Sequence, residues 1–464
     1  MPKKIVAIIG GGIAGLSAGM YLARKGYDVN IFEKGSSCGG LASGKIINGN
    51  IYEYGPHFFH TNNPQILSEI KKIANDELIN FERTILIKFM NEYFVYPLSV
   101  FEVLKKLPKK MVITAVASLI QNNFKRMFRK PEVENSETIL LKYYGNVLYE
   151  LFFKNYIYHV WNIYPDKFSP EFAMERIPRI SGSIFLNKII SPIRARLSRR
   201  STKHFVENVD GQLYTTKMGY RGIINKMVED IEKNGGKIHL NSEVVKINVN
   251  GNQVKEITVN SGRLLDFKVD ALINTIPINK AILMIAPEVT KTLRESSDSL
   301  EFRALVFVGV LVNKPKILPV SFMYFREHSF NRIYDSSYFS HDTIIPDTTI
   351  LVAEISSGKK DRWWSDDEYC KKMVLKDLLR EHIIKEKDVL EMNVYRYEFG
   401  YPIYKLGYEQ HLGNLLDYIK TVNNFETAGR QGRFQYVNGH IAMQMGFKAA
   451  EKIQGILRRY EIMK

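Results

Sequence analysis

The chain begins with a short apolar run, a glycine-rich turn and a helix-compatible segment. Residues Ile5 to Ile9 are all apolar, which is typical of a parallel strand that is buried on both faces. The turn GGGIAG at 10–15 follows at once, and a segment of small and apolar residues comes next. A second strand, DVNIF, leads to Glu33, eighteen residues after Gly15. This order predicts a βαβ unit that binds a dinucleotide.

Each residue of this fingerprint has a physical role in such a unit. Gly10 permits the tight turn, Gly12 lets backbone amides approach a pyrophosphate, and Gly15 lets helix and strand pack closely. The helix N-terminus supplies oriented N–H groups to the phosphates. The Glu33 carboxylate is placed to hold both ribose hydroxyls. A glycine loop that binds nothing is the alternative, and it leaves Glu33 unexplained.

The later hydrophobic pattern alternates between helical and strand segments. An alternating segment, GKIINGNIYEYGPHFFHT, is followed by a mainly helical stretch from about 63 to 190 with breaks at Pro97, Pro108 and Pro131. A basic connector at 191–205 precedes a strand, a helix and a hairpin that turns at Asn250-Gly251-Asn252. A buried strand (270–278), a strand-rich region (300–356), a helix (366–384) and a final strand, glycine loop and helix complete the chain.

This arrangement predicts an α/β fold whose cofactor domain is discontinuous. We expect a Rossmann-type FAD-binding domain from residues 1–85, 206–285 and 415–464, with a helical insertion at 86–205 and a sheet-rich substrate domain at 286–414. A single nicotinamide domain would occupy one contiguous block near the fingerprint. An interrupted domain closed by a C-terminal helix suits a bulkier cofactor, so FAD is the expected one.

Composition narrows the class of protein only slightly. Of the 464 residues, 45% are hydrophobic and 25% charged, which is ordinary for a globular protein. No apolar run reaches about 18 residues, so no transmembrane helix is predicted. The first strand begins after MPKK, so we expect no signal peptide. Cys38 and Cys370 lack metal-ligand spacing, so we expect reduced thiols, no metal site and a cytoplasmic location.

The net charge of +16 calls for an anionic partner or a highly solvated surface. No nucleic-acid-binding module is recognisable, so nucleic acid is not expected. An anionic substrate such as a sugar nucleotide, or an anionic membrane surface, fits better. The segment 109–130 joins an apolar run to a basic end, as interfacial helices do. Peripheral contact with the inner membrane face, through the basic segments 105–130 and 194–203, is therefore an open alternative to solvated surface.

Several segments together resemble one family, the flavin-dependent UDP-galactopyranose mutases, within the wider superfamily of amine oxidases and protoporphyrinogen oxidases. The generic flavoprotein segments are the fingerprint with Glu33, CGGLAS (38–43), EVVKI (243–247) and AGRQGR (428–433). The resemblance implies that FAD contacts a set of residues along these segments: Gly10, Gly12, Ala14, Gly15, Glu33, Gly40, Leu41, Val245, Gly429 and Arg430.

The segment YEYGPHFFHT (52–61) is similar to the mutase motif that lies against the flavin ring. The resemblance implies that the backbone at Gly55 and Pro56 lies flat on the ring. It also implies that His57 and His60 reach the reactive edge as catalytic residues. The alternative is an aromatic strand end with a buried histidine whose hydrogen bonds are satisfied.

Further segments resemble the mutase substrate cleft. In LYELFFKNYIYHVWNIYPDKFSPEFAMERIPR (148–179), the resemblance implies that Tyr156 and Trp161 line the cleft and that Arg176 grips the diphosphate. Such an arginine can bind phosphate in a bidentate way. The resemblance of segment 326–340 implies that Arg332 is a second arginine that binds the diphosphate. The resemblance of the C-terminal loop implies that Tyr436 binds the substrate, and Tyr401 is a looser match to another tyrosine of the cleft. Tyr156 and Trp161 could instead be plain core aromatics.

Two departures from the family pattern leave the nucleotide open. Asn438 stands where the family loop usually has Asp, so one polar contact loses its charge. A longer basic segment, SGSIFLNKIISPIRARLSRRSTKHF, replaces a short stretch that helps to hold uracil.

The resemblance implies an isomerase that leaves its substrate's oxidation state unchanged. In such a mutase, N5 of reduced flavin attacks the anomeric carbon and displaces the nucleoside diphosphate, and the sugar recloses as a furanose, in cell-surface polysaccharide biosynthesis. NAD(P)H or a reductase would supply electrons. One alternative is an FAD-dependent oxidoreductase of the amine oxidase or protoporphyrinogen oxidase class. Another is a non-catalytic flavin-binding scaffold docked on a membrane.

Overall fold

The structure is a computed structural model of the chain. It describes most of the sequence, namely residues 3–81, 84–89, 92–95, 105–106, 108–128, 133–177, 212–340 and 345–462. The predicted breaks at Pro97 and Pro131, the basic connector at 191–205 and the basic segment 194–203 lie outside these residues.

A parallel sheet forms around the N-terminal apolar run. Five strands of the described chain pair in the order β10-β2-β1-β14-β21, all parallel, and we call this the fingerprint sheet. Its strands come from the beginning, middle and end of the chain, which confirms the predicted α/β architecture. They are β1 (Ile5–Ile9), β2 (Asp28–Phe32), β10 (Lys237–His239), β14 (Ala271–Asn274) and β21 (Phe425–Thr427).

Two helices from opposite ends of the chain pack against each other on this sheet. They are α1 (Ile13–Arg24) and α14 (Gly439–Ile462). A Cβ atom at Gly446 would lie 2.2 Å from the carbonyl oxygen of Ala14, so only glycine allows this approach. A third helix, α7 (Tyr220–Lys233), buries Ile223 and Ile231 in the same apolar core.

A second sheet carries the predicted hairpin. Its described strands pair in the order β13-β12-β11-β15. The turn at Asn250-Gly251-Asn252 is confirmed, since β11 ends at Asn250, β12 begins at Gln253 and Gly251 has a φ of +59°. The strands are β11 (Glu243–Asn250), β12 (Gln253–Asn260), β13 (Leu264–Lys268) and β15 (Ile285–Ala286).

The largest sheet faces the fingerprint sheet across a cavity. Seven strands of the described chain pair in the order β20-β16-β19-β18-β17-β7-β8, and we call this the seven-stranded sheet. They are β7 (Ile85–Phe89), β8 (Glu92–Val95), β16 (Phe302–Val312), β17 (Phe322–Phe325), β18 (Arg332–Asp335), β19 (Thr349–Ser357) and β20 (Val389–Pro402).

The start of the expected helical insertion at residue 86 differs from the structure. Strands β7 and β8 form an antiparallel pair, and β7 pairs in parallel with β17. The physical reason is that this short stretch is a two-strand edge of the seven-stranded sheet, and its apolar residues do not follow a helical period. The helices of the insertion that the structure describes begin further along, at Lys109.

The remaining elements are short strands and helices that frame these sheets. The short strands are β3 (Gly44–Ile47), β4 (Asn50–Glu53), β5 (Phe59–His60), β6 (Ile79–Phe81) and β9 (Leu213–Thr215). The other described helices are α2 (Pro64–Ala74), α3 (Lys109–Phe128), α4 (Ser136–Leu148), α5 (Asn155–Trp161), α6 (Pro170–Arg176), α8 (Ile278–Leu283), α9 (Lys291–Ser299), α10 (Arg362–Ser365), α11 (Asp367–Arg380), α12 (Tyr408–Thr421) and α13 (Gly429–Gly432).

Helix α3 presents an apolar stripe on its outer face. Ile113, Ile120 and Phe124 are 69%, 53% and 61% exposed, whereas Ala115 on the inner face is buried. Seven- and four-residue spacings bring the three exposed side chains onto one side of the helix. Among the described helices, none is long and apolar enough to cross a membrane. Peripheral membrane contact through this helix stays a prediction.

Candidate functional site

A cavity of about 620 Å³ separates the fingerprint sheet from the seven-stranded sheet. This volume lies within the ~300–1,000 Å³ that is usual for ligand pockets. One end is formed by glycine-rich loops and the other by charged and aromatic side chains. The residues of our predicted site that line it are Gly10, Gly12, Ala14, Glu33, Gly40, Leu41, Pro56, His57, His60, Arg332, Tyr401, Gly429, Arg430 and Tyr436.

The fingerprint loop is shaped by glycines with different tasks. Gly10 has a φ of +98°, which favours glycine. A Cβ at Gly15 would lie 2.0 Å from the carbonyl oxygen of Gly10, so strand and helix touch there. A Cβ at Gly12 would meet no atom of the described residues within 4 Å, so this position opens into the cavity. Gly12 is the N-cap residue of α1, and no side chain of the described residues caps this helix terminus. The helix N-terminus therefore presents backbone amides to an anion.

Glu33 lies where the sequence predicts it, beside this loop. Its Oε2 accepts a hydrogen bond from the amide of Gly11 at 2.7 Å, and its Oε1 accepts one from the amide of Gly35 at 2.7 Å. Each carboxylate oxygen has a second lone pair. The side chain is thus oriented by two amides and can still accept hydrogen bonds from a ribose.

Two further loops close around the fingerprint. Gly40 has a φ of +55°, and a Cβ there would lie 3.5 Å from the Cα of Gly12. Gly429 has a φ of +83°, and its Cβ would lie 2.8 Å from the Cβ of Ala14. Side chains at these positions would fill the cradle. The glycines, the uncapped helix terminus and Glu33 together fit a bound dinucleotide cofactor.

Three predicted cofactor residues lie outside the described lining of the cavity. Gly15 and Gly55 are buried, and their lack of a side chain allows the Gly10 carbonyl oxygen and the His57 ring, respectively, to approach closely. Val245 lies in β11 with 37% of its surface exposed, whereas Glu243 of the same strand lines the cavity.

His57 lines the cavity together with Arg332 and Arg430. Gly55 has a φ of +154°, and a Cβ there would approach the His57 ring to 2.9 Å. Burial, together with the charges of Arg332 and Arg430, lowers the pKa of His57 to about 3. The imidazole is therefore neutral at neutral pH. Its Nδ1 is buried and has no hydrogen-bond partner among the residues that the structure describes.

His60 forms a pair with a histidine that the sequence did not single out. The rings of His60 and His440 lie edge to face with centroids 4.5 Å apart, and burial lowers the pKa of His440. His440 stands at the start of α14, within the glycine-rich loop segment that the resemblance covers. His440 is the last residue of the segment GRQGRFQYVNGH (429–440), so the resemblance of that segment is the signal that could have identified it.

Arg332, expected to grip phosphate, has a protein partner. Its guanidinium forms an ion pair with Glu354, directly across the β18–β19 ladder. The hydroxyl of Tyr401 donates to Oε1 of Glu354 at 3.3 Å. Burial alone would lower the pKa of Arg332, but the Glu354 carboxylate raises it well above its ordinary value. The arginine stays charged, and the pair as a whole is close to neutral.

Arg430 and Arg176 flank the aromatic side chain of Tyr436. The guanidinium of Arg430 lies 4.9 Å from the ring centroid of Tyr436 and donates hydrogen bonds to the carbonyl oxygen of Val437 at 2.7 and 3.1 Å. The guanidinium of Arg176 lies 4.0 Å from the same ring and 4.3 Å from that of Trp161. Arg176 is half-buried outside the described lining, and its Nε has no partner among the described residues.

The predicted aromatic residues separate into two groups. Tyr401 and Tyr436 line the cavity, with ring centroids 5.5 Å apart. Trp161 is buried edge to face against Phe168 and Phe172, outside the described lining, and its place in the substrate cleft stays a prediction. Tyr156 lies apart from the described lining.

Sequence reasoning missed a buried carboxyl group at the end of β4. Glu53 precedes the Tyr54-Gly55-Pro56 turn, and burial raises its pKa to about 8. Its Oε2 has no hydrogen-bond partner within the described part of the chain. The carbonyl oxygen of Glu53 accepts hydrogen bonds from the hydroxyls of Tyr334 and Tyr395, each at 2.6 Å. Glu53 therefore ties this turn to the seven-stranded sheet.

Comparison with known proteins supports a flavoprotein site. Residues 13–388 match the sequence model of the family described as flavin containing amine oxidoreductase. A probable UDP-galactopyranose mutase of Klebsiella pneumoniae is 24% identical over 181 residues, which are 38% of this chain and 46% of that protein. A dTDP-fucopyranose mutase of Escherichia coli is 23% identical over 176 residues, 37% of this chain and 45% of the other. These matches span less than half the length of either relative.

The similarity of fold extends over nearly the whole chain. A crystal structure of reduced UDP-galactopyranose mutase superimposes with a TM-score of 0.82 at 20% sequence identity. The superposition covers 98% of this chain and 96% of that structure. At this identity the comparison establishes the fold.

Proposed function

The chain belongs to the flavin-containing amine oxidoreductase family, and within it we propose that this protein is an FAD-dependent sugar-nucleotide mutase. The proposed reaction interconverts pyranose and furanose forms of a nucleotide-linked sugar. One observation carries the proposal: a dinucleotide cradle and a wall of arginine and tyrosine side chains face each other across one cavity. The mutase names of the relatives support it.

The cradle residues would hold the adenine dinucleotide part of FAD. Backbone amides at Gly12 and the N-terminus of α1 suit the pyrophosphate, and Glu33 suits the ribose. The flavin ring would then lie toward Pro56 and His57, which also line the cavity. When bound in its reduced form, the flavin supplies an electron-rich nitrogen as nucleophile.

The arginine and tyrosine wall would bind the substrate and stabilise its leaving group. Negative charge on the diphosphate grows as the anomeric bond breaks, and nearby guanidinium groups stabilise that charge. Arg332 and Arg430 line the cavity, and Arg176 lies behind Tyr436. Glu354 holds the Arg332 guanidinium in place, so little reorganisation is needed when the charge develops. Neutral His57 offers hydrogen bonds without adding a further cation.

The alternative is an oxidoreductase of the amine oxidase class, which the family match also allows. An amine substrate carries positive charge. Glu354 offsets the charge of Arg332, but Arg430 lines the cavity without a carboxylate partner among the described ion pairs and would repel an amine. The site therefore favours an anionic substrate. We also propose that NAD(P)H or a reductase supplies the electrons and that the protein acts in surface glycan biosynthesis.

The deciding experiment compares reduced and oxidised enzyme on a set of sugar nucleotides. We expect dithionite-reduced protein to isomerise at least one nucleotide-linked hexose, detected by chromatography, and oxidised protein to be inactive. Oxygen consumption by the oxidised enzyme with an amine or porphyrinogen, and no isomerisation by the reduced enzyme, would overturn the proposal.

Substitution of Arg176, which packs on the ring of Tyr436, tests the substrate side of the cavity separately from the cradle. We expect Arg176→Ala to abolish isomerisation while the visible flavin spectrum stays unchanged. Arg362→Ala serves as a matched control, because Arg362 is exposed and, among the described residues, pairs with Asp366 and Tyr369 on the surface. Loss of the flavin spectrum in Arg176→Ala would place that residue in cofactor binding or folding instead.

A further inference from the structure

Helix α3 has two faces of opposite character. On its outer face Ile113, Ile120 and Phe124 are each more than half exposed, and Ala117 between them is exposed as well. At about 100° per residue, these four side chains fall within an arc of roughly 60° around the helix. We call this row of apolar side chains the α3 stripe.

The opposite face of α3 holds the helix on the protein. Asn122 donates a hydrogen bond from Nδ2 to Oδ1 of Asn146 at 2.8 Å, and the hydroxyl of Ser118 accepts one from the amide of Val147 at 3.3 Å. Both partners belong to the neighbouring helix α4. Ala115 on the same side is buried. Packing within the protein therefore accounts for the inner face of α3 and leaves the α3 stripe unexplained.

Lysine side chains border the N-terminal end of the stripe. Lys109 and Lys110 are exposed, and helical geometry puts them about 40° to one side of Ile113 and about 60° to the other. Lys105 and Lys106, just before the helix, are exposed as well. Lysine stems can lie along an apolar surface while the ammonium group stays with water or anions. The α3 stripe therefore begins in a cluster of cations.

The segment around this helix concentrates the positive charge of the chain. Residues 105–130 contain eight lysine and arginine residues and no aspartate or glutamate, which is half of the formal net charge of +16. Solvation alone would explain the lysines, and scattered apolar side chains are normal on a protein surface. A row of large exposed apolar side chains, however, is typical of an interaction surface. Such a row with basic residues beside it is typical of helices that lie in a membrane interface.

A second copy of this chain fits the stripe poorly. The segment 105–130 is basic at both ends and has no carboxylate, so parallel and antiparallel pairing would both bring like charges together. A stable protein interface also takes about 20–30 residues per side, whereas the stripe has four described residues. An anionic bilayer offers negative headgroups to the lysines and an acyl boundary to the apolar side chains. It therefore matches both features.

We propose that α3 docks this protein on an anionic lipid surface. The α3 stripe enters the boundary between headgroups and acyl chains, and Lys109 and Lys110 lie among the headgroups. The helix axis then runs along the membrane, with α4 on the side away from the lipid. No described residue of α3 lines the cavity between the two sheets. The inference therefore goes beyond the proposed function and does not depend on it.

Vesicle cosedimentation of the flavin-loaded protein tests the proposal. We would compare vesicles of phosphatidylcholine alone with vesicles of equal parts phosphatidylcholine and phosphatidylglycerol, and we expect the wild type to sediment with the anionic vesicles only. Ile113→Ser/Ile120→Ser removes two apolar side chains and should weaken this binding at least about tenfold. Lys109→Gln/Lys110→Gln removes two cations and should weaken it by roughly 30-fold.

Matched controls use exposed positions on other surfaces. Leu264→Ser removes an apolar side chain that is 67% exposed in β13, and Lys291→Gln/Lys360→Gln removes two exposed cations. Both controls should bind anionic vesicles like the wild type. An equal loss from the control lysines and from Lys109 and Lys110 would show that net charge alone drives binding, and would overturn the proposal. Failure of the wild type to bind, or unchanged binding by the α3 variants, would also overturn it.

Sedimentation velocity without vesicles detects the other occupant of the stripe. A wild-type dimer that dissociates in Ile113→Ser/Ile120→Ser would assign the stripe to a second copy of the chain and overturn the proposal. Thermal unfolding verifies that each variant is folded, and Ile120→Ser alone serves as a second variant if the double variant unfolds. Isomerisation in the absence of vesicles should be equal in all variants, so a failure of membrane binding leaves the proposed function intact.

Discussion

The two ends of the cavity are built from different parts of the chain. The cradle end uses backbone: Gly10, Gly12 and Gly429 shape it, and Glu33 is fixed by two amides. The opposite end uses side chains that meet across the seven-stranded sheet, with the Arg332–Glu354 ion pair at its centre. A backbone cradle recognises what all dinucleotides share, whereas a side-chain wall can change with the substrate. This difference is one way in which a single fold can support different chemistries.

The largest effect on stability is expected at the side-chain end. Arg332→Gln would leave the buried Glu354 carboxylate without its cation. Breaking such a pair costs about 3–5 kcal/mol. Denaturant unfolding of the flavin-loaded protein measures the loss, and the double variant Arg332→Gln/Glu354→Gln should recover part of it. A single variant as stable as the wild type would show that the pair is not a structural unit.

Two substitutions at the cradle end should affect folding stability and cofactor binding separately. Gly15→Ala drives a Cβ against the Gly10 carbonyl oxygen, and overpacking of this kind costs about 1–3 kcal/mol. Gly12→Ala places its Cβ in open cavity, so we expect unchanged stability of the flavin-free protein and weaker flavin binding. Unfolding midpoints and the bound-flavin absorbance measure the two effects. If Gly12→Ala bound flavin normally, the loop would not be the pyrophosphate site.

Glu53, which precedes the Tyr54-Gly55-Pro56 turn, should make the free energy of unfolding depend on pH. The pKa of Glu53 is about 8 in the folded protein and about 4.5 in the unfolded chain. Between these values the folded protein holds a proton that the unfolded chain has lost, so stability falls as pH rises. The expected loss is about 1.4 kcal/mol between pH 6 and pH 7. Unfolding of wild type and Glu53→Gln at both pH values measures it, and the variant should lack this component. Equal pH dependence would contradict a protonated Glu53.

The smallest effect is expected from the hydroxyl of Tyr401. Tyr401→Phe removes one hydrogen bond to Glu354 and keeps the ring in the wall. Such a bond contributes about 0.5–1.5 kcal/mol. The unfolding free energy should fall by this amount or less, since Arg332 still pairs with Glu354. A loss as large as that of Arg332→Gln would mean that Tyr401, not the ion pair, organises this end.

The same contrast explains what sequence could predict. The cradle follows from local order, because a strand, spaced glycines and an acid lie within one short stretch. The side-chain end depends on strand register: Glu354 meets Arg332 only through the β18–β19 ladder, 22 residues apart in sequence. Tyr401 and Trp161 both come from segments that resemble the mutase cleft, yet Tyr401 lines the cavity whereas Trp161 packs against Phe168 and Phe172. Pattern alone does not distinguish a wall of a cleft from a core residue.

The order of strands in the fingerprint sheet has a consequence for protein synthesis. Strand β1 begins at Ile5, whereas β21 begins at Phe425 and is followed by Gly429 and α14, so these elements are synthesised much later than β1. At about 5–20 residues per second, roughly 20–90 s pass between synthesis of the two edges of the cradle. The nascent chain has no complete cradle during that time. Flavin is therefore acquired only after translation of this region ends, and variants with shortened C-terminal helices should accumulate as colourless protein.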